Sequence, residues 1–162
     1  MAGFNRDLTI EIAAGLIARL EEFVPKAYPD EKGVITIGWG TTKVDGKAIP
    51  LWLTCTREQA EKWLMDYLIL DTVLLLKWCQ NEGVNLDDNQ AAAVLSFTYN
   101  ASFKAFIGSS MAKEIKEGDF ESAASAFLKW NKIRIEGKLK FSAGLFNRRM
   151  AEEKCFIDEA AC

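Results

Sequence analysis

Residues 21–42, EEFVPKAYPDEKGVITIGWGTT, bring together the Glu21–Glu22 pair, Asp30 and Thr36. Two carboxylates can divide acid–base work, one keeping its proton to donate and the other ionised to accept a proton or direct a water. Composition closes off the competing chemistries. The chain has no histidine, so it cannot build a Ser-His or Cys-His nucleophile. Its four cysteines, Cys55, Cys79, Cys155 and Cys162, lack CxxC spacing, which with the missing imidazole argues against a zinc site. Taken singly, each position stays open. Either Glu21 or Glu22 can be the acid, Asp30 suits a turn through its backbone hydrogen bonds, and Thr36 suits a strand by β-propensity.

The elements around these residues give them separate supports. Ile10, Ala13, Ile17 and Leu20 recur at helical spacing, so an amphipathic helix delivers Glu21 and Glu22 near its C-terminal end. Its apolar run is broken by Arg19 and is far short of the ~20 residues that span a bilayer. Pro25 and Pro29 disfavour further helix. Asp30-Glu31-Lys32-Gly33 then reads as a turn and Val34 to Ile37 as a strand, while Gly38 and Gly40 around Trp39 permit close backbone approach. The two acid positions therefore belong to different elements and can face one another across a gap.

The remainder reads as helical. Thr56 and Gln59 make a capping box, followed by an apolar stripe of Ala60, Trp63, Leu64, Tyr67, Leu68, Leu74, Leu75 and Trp78, with Asp71 expected at its edge. Asp87 or Asp88 caps a helix running toward Asn100, and shorter helices start at Ser109-Ser110 and after Asp119. A loop around Gly137 leads to a final helix, Ala143 to Ala161. The expected architecture is α+β and mainly α: a small hairpin-bearing N-terminal lobe, a long helix and a helical C-terminal lobe, with a cleft between lobes. Length and hydrophobic content suit a single domain, residues 1–162.

A net charge of -3 gives no case for nucleic-acid binding. Charge is nonetheless uneven: residues 129–149 hold Lys129, Lys132, Arg134, Lys138, Lys140, Arg148 and Arg149 against Glu136 alone, a face that suits a polyanion such as a wall polymer as well as plain solvent. Without a signal segment, the cysteines are expected as free thiols of a reducing cytoplasm, Cys162 the most exposed.

Glu21, then AYPD ending in Asp30, then GVITIGWG containing Thr36, resembles the signature of the phage lysozyme or endolysin family of muramidases, glycoside hydrolase family 24. That family pattern is a glutamate, an aspartate nine positions on and a threonine six beyond. The segments TREQAEKWL, LDDNQAAAVLSFTYN, GDFESAASAFLKWN and GLFNRRMAEEKCF extend the resemblance along the chain.

The resemblance implies a lysozyme-like fold and hydrolysis of the β-1,4 bond between N-acetylmuramic acid and N-acetylglucosamine in peptidoglycan. Glu21 would be the general acid, Asp30 the carboxylate that positions or activates water, and Thr36 the hydroxyl that holds that water. Tyr28, Trp39 and Asn100 are the candidate substrate contacts, and Arg148 or Arg149 a partner for Glu21 unless the helix leaves it in solvent. A monomer kept in the host cytoplasm until a holin releases it is implied, with no stable membrane insertion and no metal or organic cofactor. The alternatives are a lytic transglycosylase, against which Asp30 and Thr36 count, or an inactive wall-binding protein. Two positions depart from the pattern. Thr41 stands where histidine is common, removing a possible pairing with the long helix. Glu22 stands where glycine is frequent, and an ionised Glu22 would oppose proton loss from Glu21 and move the pH optimum upward.

Overall fold

The computed structural model describes residues 3–162. Helix α1 (Arg6–Leu20) starts where the Asn5 side chain accepts a hydrogen bond from Leu8 N at 2.9 Å, and buries Ile10, Ala13, Leu16 and Ile17 on one side. It stops at Glu21, whose N–H still donates to Ile17 O while its own backbone is already extended. The strands β1 (Val24–Pro29) and β2 (Ile35–Gly38) pair antiparallel, with an irregularity between Val24 and Tyr28. Two further short strands, β3 (Lys43–Val44) and β4 (Lys47–Ala48), form a second hairpin.

Helix α2 (Arg57–Glu82) opens on the expected capping box of Thr56 and Gln59 and closes on Gly83, whose positive φ of 67° lets its N–H reach back to Gln80 O. Its first half touches two cores. Trp63 packs against Ala27, Ile37 and Ile49 beneath the hairpins, and Leu64 joins the main core of the helical lobe. That main core surrounds α3 (Asp88–Ala101), in which every residue from Ala91 to Thr98 is buried. Helices α4 (Phe103–Ile107), α5 (Ser110–Lys116) and α6 (Phe120–Ala126) wrap it, supplying Phe106, Met111 and Ile115, and a 3-10 turn after α6 adds Phe127. The chain then forms a hairpin, β5 (Lys132–Ile135) and β6 (Lys138–Phe141), and ends in α7 (Ala143–Ile157) with a 3-10 turn after it. The α+β, mainly α architecture expected from sequence is the one observed.

The loop expected around Gly137 is the turn of the β5–β6 hairpin, and three further expectations need correction. Leu74 is exposed and Asp71 is buried, because the inward stripe of α2 runs Leu64, Leu68, Asp71, Thr72, Leu75 and Trp78, and Leu74 lies about 100° around the helix from Leu75. The Thr98 hydroxyl donates to Asp71 Oδ2 at 2.6 Å, which gives the buried carboxylate the partner it needs. The final helix does not run through to Ala161: Asp158 leaves the helical conformation, and its side chain accepts from Ala160 N to start the 3-10 turn. That reversal returns Cys162 to Cys155, and the two form a disulfide with Cα atoms 4.4 Å apart, so only Cys55 and Cys79 are free thiols.

Burial holds the Asp71 carboxyl above its ordinary value of 3.8, with hydrogen bonds from Thr98 and Tyr67 acting the other way. The folded state therefore holds this proton more tightly than the unfolded chain. The resulting stability is present below pH 3.8 and is lost as pH rises through the folded value. Thermal melts should show an Asp71→Asn variant gaining on wild type as pH rises above that point. A Tm difference that is flat with pH contradicts this account of Asp71.

Candidate active site

Glu21 reaches the site because α1 ends there: the helix fixes its Cα, and the extended backbone that follows turns its side chain toward the hairpin. Asp30 and Thr36 come from that hairpin. In the β1–β2 register Tyr28 lies opposite Thr36, so their side chains share one face of the ribbon. Asp30 begins the turn that joins the strands, and its Oδ1 accepts from Lys32 N at 2.8 Å and Val34 N at 2.9 Å. The turn function thus occupies one carboxylate oxygen, and Oδ2 has no hydrogen bond among the described residues. Thr36 is buried, with its hydroxyl donating to Val34 O at 3.0 Å.

These residues line one cleft of about 610 Å³. Glu21, Tyr28, Asp30 and Thr36 form the wall on the hairpin side, while Tyr99 and Asn100 at the end of α3, Ile133 of β5, and Leu145 and Arg148 of α7 form the other. The three catalytic candidates therefore meet, together with Tyr28 and Asn100. Trp39 does not join them. Its ring packs on Phe23 at 5.2 Å between centroids, with the Arg57 guanidinium over both rings, and its carbonyl accepts from Tyr99 Oη at 2.7 Å. Glu22 is exposed and lies outside the cleft lining, where water screens it.

The glycine after Trp39 has a specific task. Gly40 adopts φ +87°, and a Cβ built there would stand 2.9 Å from the Glu21 carboxyl carbon and 3.0 Å from Oε2. The backbone approach anticipated from the glycine pair is thus made onto the acid itself. Gly40→Ala is expected to strain the bend and displace the carboxyl, lowering turnover by about 10²-fold. Steady-state kinetics alongside circular dichroism checks this, and full activity in a folded variant contradicts it.

Behind the cleft lies a buried charge network. Both arginines are inside the protein, and the exposed helix arginine is not observed. Arg148 Nη1 donates to Glu21 Oε1 at 2.6 Å, and Nη2 donates to Ser96 O at 3.1 Å. Glu21 itself has a side chain 23% exposed. Glu152, fully buried, lies 3.5 Å from Arg148 Nε and 3.1 Å from Arg149 Nε, and accepts from Ser96 Oγ at 2.6 Å. Arg149 in turn donates to Asn100 Oδ1 and lies over the Phe97 ring at 4.8 Å. Burial pulls the Arg149 guanidinium down to about 10 and pushes the Glu152 carboxyl up, both arginines and Ser96 opposing the latter. Glu152 was missed in the sequence reading. Its signal is its spacing, four residues from Arg148 and three from Arg149 on one helix.

The electrostatics of the cleft reach its aromatic residues. Tyr28 is raised above its ordinary value by burial and by the charges of Glu21, Asp30 and Glu22, and burial pushes Tyr99 up to about 12. Both phenols therefore remain protonated donors at neutral pH. Thr41, at the position where histidine is common, is buried close to the Tyr99 hydroxyl. Asp71 of the long helix is served instead by Thr98.

Comparison with known proteins identifies the family of the chain. The phage lysozyme family model matches residues 18–152, which contain every residue of the cleft and of the buried network. The chain is 34% identical over 141 residues to an endolysin of Acyrthosiphon pisum secondary endosymbiont phage 1, covering 87% of this chain and 92% of that protein. It is 36% identical over 135 residues to the endolysin of Salmonella phage P22, covering 82% and 86%. Among solved structures, an endolysin from Escherichia coli O157:H7 phage FAHEc1 superposes with a TM-score of 0.76 at 31% identity, covering 91% of this chain and 92% of that one. With a family model that matches most of its length and endolysin relatives at 34% and 36% identity, this chain belongs to the phage lysozyme family.

Proposed function

We propose that residues 1–162 form one catalytic unit that cleaves the β-1,4 bond between N-acetylmuramic acid and N-acetylglucosamine by inversion, with Glu21 as general acid and Asp30 as the carboxylate that activates water. That the protein is a peptidoglycan-hydrolysing lysozyme of the endolysin kind follows from its family. The observation that supports the finer reading is the meeting of Glu21, Asp30 and Thr36 in one cleft from two independent elements.

In this reading the glycan strand lies along the cleft. Glu21 protonates the departing glycosidic oxygen through Oε2, since Arg148 holds Oε1. Arg148 is shared between Glu21 and Glu152, so it orients the acid without devoting its whole charge to it. On the opposite face of the sugar ring, the free Oδ2 of Asp30 takes the proton of a water held by Thr36. Tyr28 and Asn100 contact the sugar. Among the described residues no helix is long and apolar enough to cross a membrane. We infer a monomer that stays in the host cytoplasm until a holin opens the inner membrane, and that then acts on the wall.

Stereochemistry tests the assignment. Proton NMR of the first products should show the α-anomer for an inverting site. Asp30→Asn keeps an Oδ1 acceptor for Lys32 N and Val34 N, and so should keep the turn while losing about 10²–10⁴-fold in rate. A β-anomer, or an Asp30→Asn enzyme of normal rate, would mean that Asp30 is not the group that activates the water.

A further inference from the structure

The β5–β6 hairpin carries a surface that glycan hydrolysis does not use. Its register pairs Lys132 with Phe141 and Arg134 with Leu139, which places two cations and two large apolar side chains on the same face. The other face holds Ile133, which is buried against the protein, and Ile135, half-buried. The first face is therefore the outward one, and its residues are in solvent: Leu139 is 60% exposed and Phe141 61%. Lys138 and Lys140 lie opposite Ile135 and Ile133 on the other face, yet they reach solvent at the hairpin's rim, as does Lys129, and Trp130, 37% exposed, enters the hairpin beside them. The only acid, Glu136, sits at the turn with Gly137, where both residues take positive φ.

A chain of net charge -3 has gathered five exposed bases, Lys129, Lys132, Arg134, Lys138 and Lys140, but one acid into residues 129–141, while Arg148 and Arg149 are buried and paired. An anionic surface would therefore attract this edge and repel the rest of the molecule, which fixes an orientation. The hairpin is firmly attached. Ser142 N donates to Asn131 O at 2.8 Å across its base, and Phe141 packs on Phe146 of α7 with centroids 5.9 Å apart. A hydrated polyanion would reward the lysines and Arg134 but leave Leu139 and Phe141 in water. A lipid interface rewards both, by charge attraction at the headgroups and by burial of the apolar side chains beneath them.

We propose that the outward face of the β5–β6 hairpin docks this enzyme on an anionic lipid surface. Ile133 of the same hairpin lines the cleft, so docking would hold one wall of the cleft beside the membrane. The proposal does not depend on which residues perform catalysis.

Co-sedimentation of the whole protein with vesicles tests it without peptidoglycan. Binding is expected to vesicles of phosphatidylcholine mixed with phosphatidylglycerol, about tenfold or more above phosphatidylcholine alone, and to weaken as salt rises. The Lys132→Glu/Arg134→Glu variant should lose it. The Leu139→Ser/Phe141→Ser variant should bind the mixed vesicles about tenfold less well, because its charges are intact and only the buried apolar contribution is gone. All four side chains are exposed and outside the cleft lining, and although Phe141→Ser gives up the contact with Phe146, the Ser142–Asn131 hydrogen bond and buried Ile133 still hold the hairpin, so both variants should fold and clear purified peptidoglycan at the wild-type rate. Absence of binding to the mixed vesicles overturns the proposal. Equal binding by wild type and the Leu139→Ser/Phe141→Ser variant also overturns it and identifies the face as a site for soluble polyanions.

Discussion

Glu21→Gln is expected to lower the rate of peptidoglycan cleavage by about 10²–10⁴-fold while leaving the protein folded. The glutamine amide fills the same space beneath Gly40, and its carbonyl oxygen can still accept from Arg148. What disappears is the proton that the departing sugar oxygen requires. The change removes one charge of a partly exposed ion pair, so it should alter stability far less than activity. Clearing assays paired with thermal melts separate the two effects. A variant that is inactive because it has unfolded would say nothing for the acid, and a folded variant of normal rate would exclude Glu21 from the chemistry.

The second large effect is on stability. Glu152→Ala should destabilise the fold by about 3–5 kcal/mol, because it strips the buried counter-charge from Arg149 and half of the pairing of Arg148. Against a total of roughly 5–15 kcal/mol for a domain, that loss brings the chain close to unfolding at ordinary temperature. The cost comes from stranded charge more than from lost packing. Replacing Arg149 and Glu152 together by methionine removes both members of one pair and leaves Arg148 on Glu21, so it should recover most of the loss. Denaturant titration of wild type, single and double variants measures both quantities. A single variant as stable as wild type, or a double variant no better than the single one, would contradict this account of the network.

Local chemistry made much of the molecule legible in advance. The helix before Glu21, the Thr56–Gln59 capping box and the turn at Asp30 are each determined within a few residues, and each appears where its side chains require. Contacts between distant segments were harder to read. Arg148 meets Glu21 across 127 positions of sequence, and no periodicity in α7 distinguishes a buried arginine from a solvated one until the partner is in place. Asp71 looked like the edge of a stripe because its partner, Thr98, comes from another helix.

The cysteines and the segment around Gly137 were misread for related reasons. Cys155 and Cys162 read as separate thiols because their pairing depends on the chain reversing at Asp158. Disulfides persist in oxidising surroundings, which fits an enzyme that acts on the cell wall. The segment around Gly137 read as a loop because its strands are only four residues each and mix lysines with apolar residues. In the candidate site, Glu21, Asp30 and Thr36 were singled out by the family resemblance, and all three line one cleft. Trp39 was misplaced because its flanking glycines serve the Glu21 carboxyl and the packing against Ala60, and not a ligand.

The central claim is that water, directed by Asp30, attacks the sugar as Glu21 protonates the bond being broken. Mass spectrometry of the ends released from purified peptidoglycan in heavy-oxygen water tests it most directly. Reducing muramic ends that carry one solvent oxygen, produced by wild type and absent with Glu21→Gln, are the predicted result. Anhydro-muramic ends without solvent oxygen would mean that the sugar's own hydroxyl closes the ring, and the hydrolytic account of this cleft would be wrong.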